Sequence, residues 1–128
     1  MGGAPKGYDA AAYGRDFKAF LPFVRKAAPG LLVLGPGGVG EGGMLASFPG
    51  GLKSEHLLSA TGPGLDALSY HFYGAVSERC SAMGQPGQTS PEAALSQEWL
   101  ARTEKDARFY AALRDRFEPG KPLWLTET

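Results

Sequence analysis

Three short segments with strand character alternate with helical patterns along this 128-residue chain, and that order constrains its fold most strongly. The segments cover residues 31–34, 65–73 and 123–126. The first is continuously apolar, which is typical of a strand that is covered on both faces of a parallel sheet. Helices between such strands favour parallel pairing through right-handed crossovers. The sequence therefore predicts an α/β fold, built either as an eight-fold barrel or as an open doubly wound sheet.

Helix signals lie between these segments. Asp9 is suited to cap a first helix that ends at residues 29–30, and residues 52–60 carry a weaker helical pattern. Ser90, followed by Pro91 and an early acid, predicts the start of the longest helix. Its apolar stripe consists of Leu95, Trp99, Leu100, Thr103, Ala107, Tyr110, Leu113 and Phe117. The spacing of this stripe predicts packing against the sheet.

Composition excludes several classes of function. Lysine plus arginine equals aspartate plus glutamate at 13 each, without long blocks of either sign, so we expect neither a nucleic-acid partner nor an anionic membrane surface. No apolar run is long enough to span a membrane, and the first residues lack the apolar core of a signal peptide. Cys80 is the single cysteine, and with only His56 and His71 beside it a zinc site would need carboxylates. We expect no metal and no cofactor.

Chemically capable residues stand at the carboxyl end of each predicted strand. They are the glycine-rich loop at residues 35–41, then His71 and Tyr73, and finally Glu127. Catalytic residues of a barrel enzyme come from the carboxyl ends of several strands. This distribution favours the barrel over the open sheet. His71 and Tyr73 are two residues apart on one strand, so their side chains should point to the same side.

Three segments resemble glycoside hydrolase family 79, the heparanase and β-glucuronidase-like enzymes. They are Leu-Gly-Pro at residues 34–36, Asp-Ala-Leu-Ser-Tyr-His-Phe-Tyr at 66–73, and Pro-Gly-Lys-Pro-Leu-Trp-Leu-Thr-Glu-Thr at 119–128. Trp-Leu-Thr-Glu-Thr is the most specific motif among them. The resemblance implies a partial (β/α)8 barrel of about three strand–helix units, from the fourth barrel helix to the seventh strand. Residues 1–128 would then be a fragment of one catalytic domain, without a second domain.

The resemblance also implies roles for individual residues. Glu127 would be the catalytic nucleophile of a retaining glycosidase that acts on glucuronic-acid-containing glycans. His71 and Tyr73 would line the sugar site and orient the nucleophile. Gly37 and Glu41, in the glycine-rich loop, are weaker candidates for contact with the glycan. Members of the family often act outside the cell or in lysosomes.

One departure from the family bears on activity. A retaining glycosidase needs a second carboxyl group, roughly 5 to 5.5 Å from the nucleophile, as its acid/base. The family carries that glutamate in an Asn-Glu-Pro motif, and this sequence contains no asparagine. We therefore expect the acid/base to be absent from this chain, and the chain alone to be inactive.

Two alternatives come from other classes. The run Gly-Pro-Gly-Gly-Val-Gly at residues 35–40 matches the dinucleotide-binding fingerprint, which requires a helix to open at that loop and an acid about 20 residues later. The glycines and Glu41 at the phosphate position argue against it. The other alternative is a non-catalytic carbohydrate-binding or interaction remnant. It predicts sugar binding that survives replacement of Glu127 by Gln.

Overall fold

The computed structural model describes residues 5–43, 46, 51–75 and 89–128, and Cys80 lies outside them. These residues form an α/β fold with one parallel sheet, in the strand order β1-β2-β3. The elements are α1 (Ala10–Ala27), β1 (Leu34–Val39), α2 (Ser54–Thr61), β2 (Ala67–His71), α3 (Pro91–Ala94), α4 (Gln97–Phe117) and β3 (Leu123–Glu127). The predicted α/β class with parallel strands is confirmed. Within the described part of the chain, no helix is both long and apolar enough to cross a membrane.

Helix α1 begins where its cap predicts. The Asp9 carboxylate accepts a hydrogen bond from the backbone N–H of Ala12 at 2.8 Å. The helix packs against α2 at Gly14, where an added Cβ would lie 2.6 Å from the carbonyl oxygen of Ala60. Only glycine allows the two helices to approach this closely. Local sequence thus determines the start of α1. The lack of a side chain at Gly14 determines how closely α2 packs against α1.

The first strand is shifted from the predicted one. It runs over Leu34–Val39 instead of residues 31–34, and Leu31 and Leu32 are exposed. Val33 is tied to the segment before β2, because its N–H donates to the Asp66 carboxylate and its carbonyl accepts from the Asp66 N–H, both at 2.8 Å. Pairing with β2 then carries the extended backbone through the glycines. Most of the predicted glycine-rich loop, residues 35–39 of 35–41, is therefore strand.

This shift also bears on the dinucleotide-binding alternative. Most of the fingerprint lies in β1, and residues 40–43 form a bend and turns. The next described helix, α2, begins only at Ser54. A pyrophosphate needs a helix N-terminus directly at the glycine loop. The described residues do not provide that arrangement.

The other strands lie close to their predicted positions. Strand β2 occupies Ala67–His71 within residues 65–73, and β3 extends one residue beyond prediction to Glu127. Strand β2 pairs with both neighbours and its first four residues are buried. Strand β3 pairs only with β2 among the described strands and is largely exposed. The order β1-β2-β3 brings the three carboxyl ends to one edge of the sheet.

The predicted long helix is divided in two. Ser90 caps α3 by accepting from the N–H of Ala93, as predicted, but Ser96 caps a second helix, α4, by accepting from the N–H of Trp99. A second serine cap competes with helix continuation because its hydroxyl offers the backbone another partner. The predicted stripe packs only in its second half: Tyr110 and Leu113 are buried, whereas Leu95 and Leu100 are exposed.

The core lies between the sheet and α4, with α1 and α2 at its border. Its buried members are Val33, Leu58, Leu65, Leu68, Tyr70, Tyr110 and Leu113. One buried carboxylate, Glu118, accepts hydrogen bonds from the backbone N–H groups of Gly64 and Leu65 at 2.8 and 3.0 Å. This link fastens the end of α4 to the segment that enters β2.

Candidate functional site

Glu127 and His71 meet at the carboxyl edge of the sheet. The Nδ1 atom of His71 lies 2.7 Å from Oε2 of Glu127. The His71 side chain is 27% exposed and that of Glu127 is 54% exposed, so the pair borders solvent. A carboxylate in this position is accessible to a ligand. The prediction that these two residues lie together agrees with this geometry, while their roles remain proposals.

Tyr73 is the third member of this group. Hydrogen bonding with Glu127, more than desolvation, raises the pKa of Tyr73 above its ordinary value. The rings of His71 and Tyr73 meet edge to face, with centroids 6.5 Å apart. The carboxylate therefore has two side-chain partners, both from the end of β2. We call Glu127, His71 and Tyr73 the Glu127 cluster.

A β-bulge in β3 aims Glu127 at His71. Leu125 is paired with Tyr70, but the next pair along the ladder is Glu127 with His71, which leaves Thr126 as an extra residue. In a regular ladder Thr126 would be opposite His71, and Glu127 would point to the other face of the sheet. Bulges re-aim side chains in this way. The Thr126 hydroxyl donates to the carbonyl of Tyr70 at 3.2 Å, which ties the bulge to β2.

Strand β1 has a bulge one residue earlier along β2. Pro36 is paired with Ser69 and Gly38 with Tyr70, so Gly37 is the extra residue, and its φ is +72°. A Cβ added to Gly37 would lie 3.7 Å from Nε2 of His71. Gly37, one of the weaker sequence candidates, therefore lies beside the Glu127 cluster.

Glu41, the other weaker candidate, has a different environment. Its carboxylate accepts hydrogen bonds from the backbone N–H of Ser54, at 2.9 Å for the shorter one, and from the Ser54 hydroxyl. Lys53, the N-cap residue of α2, makes no side-chain capping bond, so Glu41 serves the first turn of that helix from 13 residues away. The N–H of Glu41 donates to the hydroxyl of Tyr110 at 3.3 Å. These contacts give Glu41 a structural role in holding β1, α2 and α4 together.

A buried aspartate adjoins this network, and the sequence pattern did not single it out. Asp106 on α4 is only 2% exposed, and its Oδ1 atom has no hydrogen-bond partner among the described residues. An added Cβ on Gly42 would lie 2.6 Å from that oxygen. Burial raises the pKa of Asp106, and the nearby Glu41 charge adds to the effect, while the Gly42 backbone opposes it. No local signal marks Asp106, because its burial depends on the turn at residues 40–43.

Trp99 lies close to the Glu127 cluster rather than in the core. Its indole N–H donates to the carbonyl oxygen of Gly74 at 2.7 Å, directly after Tyr73. The Arg102 guanidinium lies 3.5 Å from the centroid of the Trp99 ring. The first turn of α4 is thereby fixed beside the end of β2. Trp99, which the sequence predicts to pack against the sheet, is thus bound near the edge of the sheet.

Across residues 5–43, 46, 51–75 and 89–128, no group of three or more histidine, cysteine, aspartate or glutamate side chains could hold a metal ion.

Comparisons with models of protein families, with curated proteins and with solved structures found no match to this chain.

Proposed function

We propose that this chain is part of a retaining glycoside hydrolase of the family 79 type, with Glu127 as its nucleophile. The observation that carries the proposal is the solvent-accessible Glu127 carboxylate, which lies 2.7 Å from Nδ1 of His71 and interacts with Tyr73 at the carboxyl edge of parallel strands. In a (β/α)8 barrel that edge holds the catalytic groups. The three described strands would then belong to a barrel whose typical length is ~250 residues.

The contacts of Glu127 suit a nucleophile. A retaining glycosidase requires an ionised carboxylate that attacks the anomeric carbon and forms a covalent glycosyl-enzyme. Hydrogen bonds donated to the charged form favour ionisation and limit the rotation of the side chain. In the proposed enzyme, His71 Nδ1, which lies 2.7 Å from Oε2, and the Tyr73 hydroxyl would donate bonds of this kind to Glu127. They lie at the end of β2 and just beyond it, so this part of the chain would orient the nucleophile that β3 carries.

The second carboxyl group of the mechanism has to come from elsewhere. It protonates the leaving oxygen and later activates water from roughly 5 to 5.5 Å away. The sequence contains no asparagine, so the acid/base motif of the family is absent. Glu41 is unsuitable as a replacement, because its carboxylate is bound to the first turn of α2. We expect this chain by itself to leave ordinary glycosides intact.

Covalent labelling tests the proposal without requiring turnover. The dinitrophenolate of a dinitrophenyl β-glucuronide leaves without being protonated. Only the nucleophile is therefore needed for the first step. We expect the chain to gain the mass of one glucuronyl group on Glu127, and azide, which needs no general base, to release it as glucuronyl azide. Glu127→Gln should abolish the label, and the matched control Glu41→Gln should retain it wherever the variant is folded.

Two outcomes would contradict this proposal. Folded wild-type protein that acquires no label at Glu127 would exclude the nucleophile role. Sustained, Glu127-dependent hydrolysis of an ordinary aryl glucuronide would contradict the absence of an acid/base. Sugar binding without labelling, unchanged in Glu127→Gln, would instead favour a non-catalytic carbohydrate-binding protein.

A further inference from the structure

Asp106 is a buried carboxyl group that the proposed mechanism does not use. It lies near the middle of α4 and is only 2% exposed, and its Oδ1 atom has no hydrogen-bond partner among the described residues. A buried polar group without a partner is costly, and a buried charge costs far more. The group therefore has a strong physical reason to stay protonated, or to reach water when it ionises.

Residues 40–43, which we call the 40–43 turn, cover this carboxyl group. An added Cβ on Gly42 would lie 2.6 Å from Oδ1 of Asp106 and 2.7 Å from Cβ of Phe109. No side chain fits at such distances, so only glycine lets the turn lie this close to α4. The 40–43 turn is therefore part of what keeps water from the carboxyl group.

The surroundings of Asp106 favour its neutral form. Burial is the main cause that raises the pKa of Asp106, and the charge of Glu41, on the 40–43 turn, adds to it. Hydrogen bonding with the backbone of the turn and the charge of Lys105, on α4, lower this pKa by less than burial raises it. Tyr110, on α4, and Tyr70, on β2, also face the group. The pKa of each tyrosine is raised chiefly by burial, so both stay neutral where a carboxyl group titrates.

The turn, and not the helix, is the element that should move when Asp106 loses its proton. Helix α4 has 21 residues and contributes Tyr110 and Leu113 to the core. The described contacts that hold the turn to α4 are the glycine contact and a long hydrogen bond, 3.3 Å, from the Glu41 N–H to the Tyr110 hydroxyl. The bond between the Glu41 carboxylate and Ser54 joins the turn to α2 instead. Segments with few buried apolar contacts and weak hydrogen bonds open locally.

We propose that the 40–43 turn is a pH-sensitive latch, which is closed on α4 while Asp106 is protonated and opens when Asp106 ionises and takes up water. The proton passes to solvent, and no covalent bond in the protein other than that O–H bond changes. Val39, which directly precedes the turn, pairs with His71. The closed latch thus holds the end of β1 beside the Glu127 cluster. The latch does not depend on the proposed function.

Amide hydrogen exchange of the wild-type protein, followed by NMR, tests the latch. The Glu41 N–H measures opening, because its bond to the Tyr110 hydroxyl breaks when the turn leaves α4. Its protection, taken relative to the intrinsic exchange rate at each pH, should fall about tenfold per pH unit from the ordinary aspartate pKa of about 4 up to the raised pKa of Asp106. The reason is that the closed state binds the proton more tightly than the open state. Protection should level off where the Asp106 carboxyl carbon finishes its own titration.

Two results on the wild-type protein would overturn the latch. The first is protection of the Glu41 amide that stays constant while Asp106 titrates. The second is protection equal, at every pH, to that of the amide of Leu113, which is buried in α4. Equal protection would mean that only global unfolding exposes Asp106 to water.

Two variants assign the pH dependence to one carboxyl group. Asp106→Asn should keep the Glu41 amide at its acid level of protection at every pH, because the new side chain carries no charge. Asp115→Asn is the matched control on α4: the Asp115 side chain is 68% exposed and is bonded to Arg114, so this variant should keep the wild-type profile. A wild-type profile in Asp106→Asn, or its loss in Asp115→Asn, would overturn the proposal. The wild-type measurements decide the question without either variant.

Discussion

Glu41 and Glu127 both follow the core of a strand, yet their carboxylates have different kinds of partner. Glu41 accepts from the backbone N–H and hydroxyl of Ser54, a residue that is 1% exposed. Glu127 is more than half exposed, and its carboxylate interacts with the side chains of His71, whose Nδ1 lies 2.7 Å from Oε2, and Tyr73. A carboxylate bound to a buried helix terminus stabilises the fold, whereas one held by side chains at the surface remains available to a ligand. The type of partner therefore distinguishes two glutamates that the sequence presented as similar candidates.

The two regions also differ in how their polar groups are satisfied. The network around Glu41 includes the unpaired Oδ1 of the buried Asp106, and burial there is costly. The Glu127 cluster has open access to solvent, so its charge needs little compensation from the protein. Substitutions should accordingly change stability in the first region and chemistry in the second.

The largest expected effect is a loss of stability when Glu41 is replaced. Glu41→Ala should lower the free energy of unfolding by about 2 kcal/mol, since it removes charge-assisted hydrogen bonds from a buried helix terminus. Glu127→Ala, the matched control at an exposed strand end, should change it by less than about 0.5 kcal/mol. Urea unfolding of both variants measures the difference. Equal losses in the two would remove the distinction between the glutamates.

Asp106→Asn should raise the free energy of unfolding, by less than Glu41→Ala lowers it. Its raised pKa means that the folded state binds the proton more tightly than the unfolded state, so the cost of the charge is present at higher pH and is relieved as pH falls through the folded-state pKa. Removing the charge should stabilise the protein by about 1 kcal/mol at neutral pH. Urea unfolding at neutral and acidic pH should show this gain shrinking in acid. A gain that grows as pH falls would contradict the assignment.

The change with the smallest effect on stability is Glu127→Gln. Its effect on the pKa of Tyr73 is the most specific test of the Glu127 cluster. That pKa is raised chiefly by the hydrogen bond with Glu127. Glu127→Gln replaces the charged acceptor with a neutral one, so the pKa of Tyr73 should fall toward the ordinary value of about 10. NMR titration of the tyrosine ring carbons measures it, with Tyr8, whose hydroxyl is bonded to Asp16, as an internal reference. An unchanged Tyr73 would mean that its hydroxyl is not bonded to Glu127 in solution.

Much of the local structure was predictable from short segments. Asp9 and Ser90 cap helices as predicted, because a capping side chain and the N–H groups it serves lie within three residues of each other. The ends of β1 were not predictable in the same way. The apolar run at residues 31–34 fits a strand, but only pairing with β2 decides which backbone is extended, and it selected Leu34–Val39.

The candidate site likewise has one part that the local sequence predicts and another that it does not. The two-residue period of a strand predicts His71 and Tyr73 on one side, and their rings do meet, although Tyr73 lies beyond the end of β2. That Glu127 points to the same side depends on the bulge at Thr126, and no residue type at 126 requires a bulge. Asp106 was missed for a related reason, since its burial arises from a turn that is distant in sequence.

By itself, the sequence determined the α/β class, the parallel strands and the residue types that meet at their carboxyl ends. Periodicity and caps carry that information because they depend on neighbours a few positions apart. Only the tertiary structure decided the register of the ladders, the two bulges beside His71 and the partners of each carboxylate. Those features depend on contacts between residues far apart in the chain, where a shift of one position turns a side chain to the other face of the sheet.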